Sequence, residues 1–136
     1  MTTLQRMLRI AAHRERVARL ELAEAEHARS LVQRQVDEAG RQVTLALQHP
    51  SEDQEDHIQR HGYALRMEMT RRAAERTLLD RQREVGARRE VLESSSREKG
   101  KLSRLCELQD AAERAETERR DQRRLDEMGI IAWWRG

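Results

Sequence analysis

Hydrophobic positions along the first third of the chain recur in alternating steps of four and three residues. From Leu4 the steps meet Leu8, Ala11, Glu15, Ala18, Leu22, Ala25, Arg29, Val32, Val36, Ala39, Val43 and Ala46. Only Glu15 and Arg29 interrupt an otherwise apolar stripe. This alternation keeps one narrow face of an α-helix turned toward a partner helix, which is the coiled-coil pattern. Met7, Ile10, Val17 and Leu20 widen the stripe near its start and predict an additional contact surface there. Thr2 and Gln5 have capping-box spacing, Thr2 accepting from the backbone while Gln5 reaches back. A helix is therefore predicted over residues 3–48.

The pattern stops at a turn over 49–53. Pro50 disfavours helical geometry at His49. Ser51 and Gln54 repeat the capping-box spacing, and Glu52, Asp53, Glu55 and Asp56 put negative charge where a helix dipole favours it. A second helix is predicted over 54–128. Its stripe is thinner, running through Ile58, Leu65, Met69, Ala73, Leu78 or Leu79, Val85 and Leu92, then Leu102, Leu105, Leu108, Ala112 and Ala115. Glu68–Arg72, Glu84–Arg88, Glu93–Arg97 and Glu116–Arg120 are favourable i,i+4 pairs. The stretch Ser94–Gly100 holds no apolar residue. It is either a solvent-facing part of one long helix or a break that lets 101–128 fold back as a third. Gly129 is placed to stop the helix in a left-handed conformation, leaving 129–136 as a tail.

Reversal near residue 51 sets a position x of the first helix beside roughly position 103 − x of the second. At 1.5 Å per residue the first helix then accompanies the second only to about residue 100, and the remainder projects as a single helix of about 40 Å. The predicted fold class is all-α: one domain over 1–136, a long antiparallel two-helix coiled-coil hairpin with a C-terminal helical overhang. Leu102, Leu105 and Leu108 on that overhang call for a partner.

Composition agrees with a narrow seam rather than a broad core. Hydrophobic residues are 37%, aromatics 2% and charged residues 38%, the last well above the roughly 25% usual in soluble domains. The net charge is only +2, and the 27 basic and 25 acidic residues are interleaved along the whole chain. Phosphate binding needs clustered positive charge, so nucleic acid is not expected as a partner. Cys106 is the sole cysteine, which excludes an internal disulfide and suits a small seam residue. No stretch approaches the roughly 20 apolar residues of a membrane span, and no signal-peptide core is present, so a cytoplasmic location is expected.

Candidate chemistry is sparse. The six glycines are scattered singly and cannot form a phosphate-cradling loop. Neither Ser94–Ser96 nor Cys106 has a nearby histidine to act as base. His57 and His61 stand one helical turn apart, at metal-ligand spacing, with Asp53 and Asp56 close by, but no third ligand is fixed. No catalytic, cofactor or metal site and no small-molecule substrate are expected. The tail differs in kind. Ile130, Ile131, Trp133 and Trp134 include both tryptophans of the chain. Three readings stand: Ile130 packs back on the helix end, the tail is frayed, or these four residues anchor a partner. Just upstream, Arg119, Arg120, Arg123 and Arg124 share one side of a helix, as a solvated face or as a reader of acidic loops on a protein ring.

The opening Leu4-Gln5-Arg6-Met7-Leu8-Arg9-Ile10, with Arg14-Glu15-Arg16, resembles the start of the flagellar export protein FliJ and of its YscO-like relatives in virulence type III secretion. The segment Glu118–Glu127, closing on Leu125-Asp126-Glu127, resembles the charged segment near the end of that family. Length, the two-helix layout and the central turn also match. The resemblance implies an antiparallel hairpin similar to the central stalk of rotary ATPases, with both termini in the ring of the export ATPase hexamer. It implies promotion of that hexamer and its activity, and contacts with the membrane export gate and export chaperones. The location it implies is the cytoplasmic face of the inner membrane. Carried onto this chain, Leu4, Leu8, Arg119, Arg120, Arg123, Arg124, Leu125 and Asp126 become the ATPase-facing set. No motif around the turn matches for the export gate, and the Trp133-Trp134 ending departs from the family's charged tail. The rival expectation is a self-associating coiled-coil scaffold unrelated to secretion.

Overall fold

The computed structural model describes residues 2–136 and contains two helices, α1 (Thr3–Gln48) and α2 (Gln54–Arg135), with no strand among the described residues. They pack against each other as a helical hairpin. The start of α1 follows the sequence closely. The Thr2 amide donates to Gln5 Oε1 at 3.0 Å, and the Gln5 amide donates to Thr2 Oγ1 at 3.2 Å. Two otherwise orphaned helix donors are satisfied reciprocally.

The start of α2 is capped differently from expectation. Asp53, not Ser51, accepts a free amide of the first turn, that of Asp56, at 2.7 Å, and Asp56 Oδ2 in turn accepts from the Glu52 amide at 3.1 Å. Ser51 turns away to pair its hydroxyl with His57 Nδ1 at 3.2 Å. The loop holds carboxylates at both 53 and 56, and a carboxylate takes an amide hydrogen more strongly than a hydroxyl does, so the box closes two residues later.

The chain falls into two compact units. One is Arg16–Ser94, which holds the turn. Its seam is small: Ala18, Ala25, Val32 and Ala39 from α1, and Ala64 and Val85 from α2, are its buried apolar residues. Across the seam Arg88 Nη1 meets Glu21 Oε2 at 2.7 Å, Arg89 pairs with Glu26 at 3.6 Å, and Tyr63 donates to Gln42 at 3.3 Å.

The other unit joins Met1–Glu15 to Ser95–Gly136. Ala11 and Leu102 are its buried apolar side chains. Beside them Glu15, only 5% exposed, receives Lys99 Nζ at 3.3 Å, and Arg14 pairs with Glu98 at 3.7 Å. The simple reversal rule puts Glu15 beside residue 88, so pairing here runs about eleven residues further along α2. Cys106 and Gln109 are half-buried, whereas every residue from Thr117 onward is exposed.

All thirteen positions of the α1 stripe are buried or half-buried. In α2 the stripe expected through Ile58, Leu65, Met69, Ala73 and Leu79 is exposed. The covered positions include a line through Arg60, Ala64, Met67, Arg71, Ala74, Leu78, Val85, Arg88, Leu92, Ser95, Lys99, Leu102 and Cys106. These keep the same four-three alternation, with exposed Arg81 as the one gap. Long basic side chains lay their methylene stems on the seam and keep their charged heads wet, so they fill positions that look polar in sequence.

Two further expectations change. Ser94–Gly100 is helical throughout, so 101–128 does not fold back. The helix also passes through Gly129, which has no positive φ, and ends at Arg135 rather than Met128. One glycine costs about 1 kcal/mol relative to alanine inside a helix, too little to end one flanked by helix formers.

Candidate protein-interaction surface

In the unit that carries residues 95–136, α2 exposes its side chains on every side beyond residue 117. Arg119 and Arg120 share the half-buried Glu116 carboxylate at 3.8 and 3.5 Å. Among the described residues Arg123 and Arg124 form no ion pair. Gln122 Nε2 donates to Asp126 Oδ1 at 3.1 Å, one helical turn on, and Leu125 is exposed beside it. The two unpaired guanidiniums are thus available to an acidic partner with no internal bond to break first.

Leu4 and Leu8 lie elsewhere in this unit, half-buried on the α1 stripe and already partly used in helix pairing. The structure therefore separates the expected contact set into a seam pair and a solvent-facing group, Arg119–Asp126. Met7 and Ile10 flank that seam pair as exposed apolar side chains.

The tail is neither packed back nor irregular. Ile130, Ile131, Trp133 and Trp134 belong to the last turns of α2, and all four are exposed, the tryptophans 77% and 78%. The two indoles meet edge to face, 5.8 Å between centroids. A shallow groove over Gly129 is lined by Leu125, Asp126, Ile130, Trp133 and Trp134. A side chain added at Gly129 would meet nothing within 4 Å.

In the unit that holds the turn, the sequence reading missed a surface. Ile58, Leu65, Met69 and Leu79 form an exposed apolar line on α2 because the seam there is built on Arg60, Arg71 and Arg88. Continuing the four-three alternation backward from Val85 and Leu92 separates the two lines without structural knowledge. Near it, Arg71 bridges Glu68 and Glu75, and its stem runs 3.6 Å from where a Cβ on Gly40 would stand. The Arg71 hydrogen bonds hold the Glu68 carboxyl below its usual range.

The His57 and His61 rings lie 4.0 Å apart between centroids, tilted by 37°, and the backbone carbonyl of His57 takes a hydrogen bond from His61 Nδ1. Among the described residues no group of three or more His, Cys, Asp or Glu is arranged to hold a metal ion. Among the described residues no helix is long and apolar enough to cross a membrane. What the surfaces offer chemically is binding: paired and unpaired arginines, exposed aliphatic lines and two solvent-facing indoles.

No curated protein and no solved structure matches the chain. A family model described as flagellar FliJ protein matches residues 1–136. The chain belongs to the flagellar FliJ family, a component of the flagellar protein-export apparatus.

Proposed function

We propose that the chain is a non-catalytic stalk of a flagellar or related type III export apparatus. It binds the ring of the export ATPase and promotes hexamer assembly and activity. It also contacts the export gate and export chaperones at the cytoplasmic face of the inner membrane. The observation that carries this reading is the exposed α2 segment Arg119–Asp126, with unpaired guanidiniums at Arg123 and Arg124. Such a segment works by differential contact: it binds the assembled ring more tightly than free subunits and so shifts their equilibrium.

The test is ATP hydrolysis by the export ATPase, with and without this protein, over a range of ATPase concentrations. Stimulation is expected mainly at low concentration, where the ring assembles poorly. Arg123→Glu with Arg124→Glu is expected to remove most of it. Full stimulation by that variant would show that the arginines do not read the ring.

The exposure of Leu105 and Leu108 favours a second reading, a self-associating scaffold that buries them between copies. Sedimentation at micromolar concentration separates the two: a monomer supports the stalk, and a stable dimer that loses its association in Leu105→Glu supports the scaffold.

A further inference from the structure

Arg14 of α1 and Glu98 of α2 meet at 3.7 Å in the unit that joins Met1–Glu15 to Ser95–Gly136. The helices run antiparallel, so one heptad further along each of them sets Met7 beside Leu105. Ile10 and Leu108 follow these two by three residues, each on the same side of its own helix. All four side chains are between 46% and 56% exposed, whereas Ala11 and Leu102 in the adjoining seam are buried. Two helices therefore build one apolar patch that faces water.

The charge around this patch has one sign. Arg6, Lys101 and Arg104 stand one helical turn ahead of Ile10, Leu105 and Leu108. All three are exposed and form no ion pair among the described residues. None of the residues three or four places from any of the four apolar side chains is acidic. Glu107 and Asp110 lie one and two places from Leu108, which turns them to other sides of α2, and Glu98 is held by Arg14. An apolar centre with cations alone at its edge fits a partner whose edge is acidic. A second copy set on the patch would bring these cations against their counterparts. A phosphate backbone would leave the four apolar side chains uncovered.

We infer that Met7, Ile10, Leu105 and Leu108 form a two-helix docking face for an acidic, apolar-centred segment of the export ATPase, with Arg6, Lys101 and Arg104 on its carboxylates. The identity of the partner rests on the ATPase reading, while the face uses no residue of Arg119–Asp126. The contact is also sensitive to helix register, because Met7 stands level with Leu105 only while Arg14 stands level with Glu98.

The test is the affinity of the full-length protein for the purified export ATPase. Met7→Ser with Ile10→Ser, and separately Leu105→Ser with Leu108→Ser, should each weaken binding at least about tenfold while leaving helix content by circular dichroism unchanged. Lys101→Glu with Arg104→Glu keeps the apolar residues, and should weaken binding and remove much of its salt dependence. Cys106 is the sole cysteine, so Cys106→Ser with Leu108→Cys puts the only thiol on the face. A photoactivatable reagent attached there should join the chain to an acidic stretch of the ATPase. Adducts formed only between copies of the chain overturn the inference. Native affinity in both serine variants, with affinity lost in Arg123→Glu with Arg124→Glu, overturns it alone and leaves the ATPase reading standing. Absence of binding by the native chain sinks both.

Discussion

One residue that constrains helix pairing is Glu15. It stands in an apolar stripe, is nearly buried, and meets Lys99 Nζ at 3.3 Å from the facing helix. A charge-assisted hydrogen bond to a nearly buried carboxylate is stronger than a neutral one, so sliding of one helix past the other that parts this pair is disfavoured, as a polar residue in a coiled-coil seam fixes register. Lys99→Met should lower unfolding free energy by about 1–2 kcal/mol, because Glu15 loses a charge-assisted hydrogen bond while staying in the seam. Adding Glu15→Leu should recover most of that loss, since an apolar pair suits this site. Urea unfolding of the two variants checks both statements. If the double variant is no more stable than the single one, Glu15 is held by its own helix and the cross-helix pair sets nothing.

At the scale of the element, capping and phase decide what forms. The α2 cap rests on two aspartates, and the one at 56 titrates in a readable way. The Glu52 amide, with Arg60 Nε at 2.9 Å assisting, holds the Asp56 carboxyl below its ordinary value. Its contribution to stability is therefore complete above the unfolded-chain value of about 3.9 and is lost as pH falls through the lower folded value. The stability difference between the native chain and Asp56→Asn should be steady at neutral pH and shrink in that acid range, as thermal melts across pH would show. A difference independent of pH would mean the charge on Asp56 is irrelevant to the cap. Asp53→Ala should cost about 1 kcal/mol by removal of the first helix cap. The same scale shows what the sequence made legible. The α1 stripe could be read position by position because its seam is apolar, whereas α2 places Arg60, Arg71, Arg88 and Lys99 in the same seam. An apolar count discards those four and drifts onto Ile58, Leu65 and Met69, which face water. The cap shifted for a local reason, a choice among four neighbouring acids and a serine that spacing alone does not rank. Arg119–Asp126 was legible as part of a helix, whereas the helical setting of the tail was hidden behind Gly129, whose usual role is to stop a helix.

At the scale of the molecule, support along α2 is uneven. Up to about residue 109 the seam positions other than Arg81 are covered, while from Thr117 to Arg135 the helix has no packed face. A lone helix in water is held only by propensity and by pairs such as Glu116–Arg120, which together make it marginal. Backbone amides of 117–135 should therefore exchange with deuterium orders of magnitude faster than those around Ala64 and Val85, where opening requires loss of the seam. Peptide-resolved exchange on the free protein measures this directly. The contrast should then collapse when a partner covers the segment, and the place where protection appears discriminates between partners. Protection over Arg119–Asp126 on adding the export ATPase supports a ring contact there. Protection already present in the free protein, and rising with its concentration, would mean that copies of the chain cover one another, and the exposed leucines 105 and 108 would then belong to a self-interface rather than to an export machine.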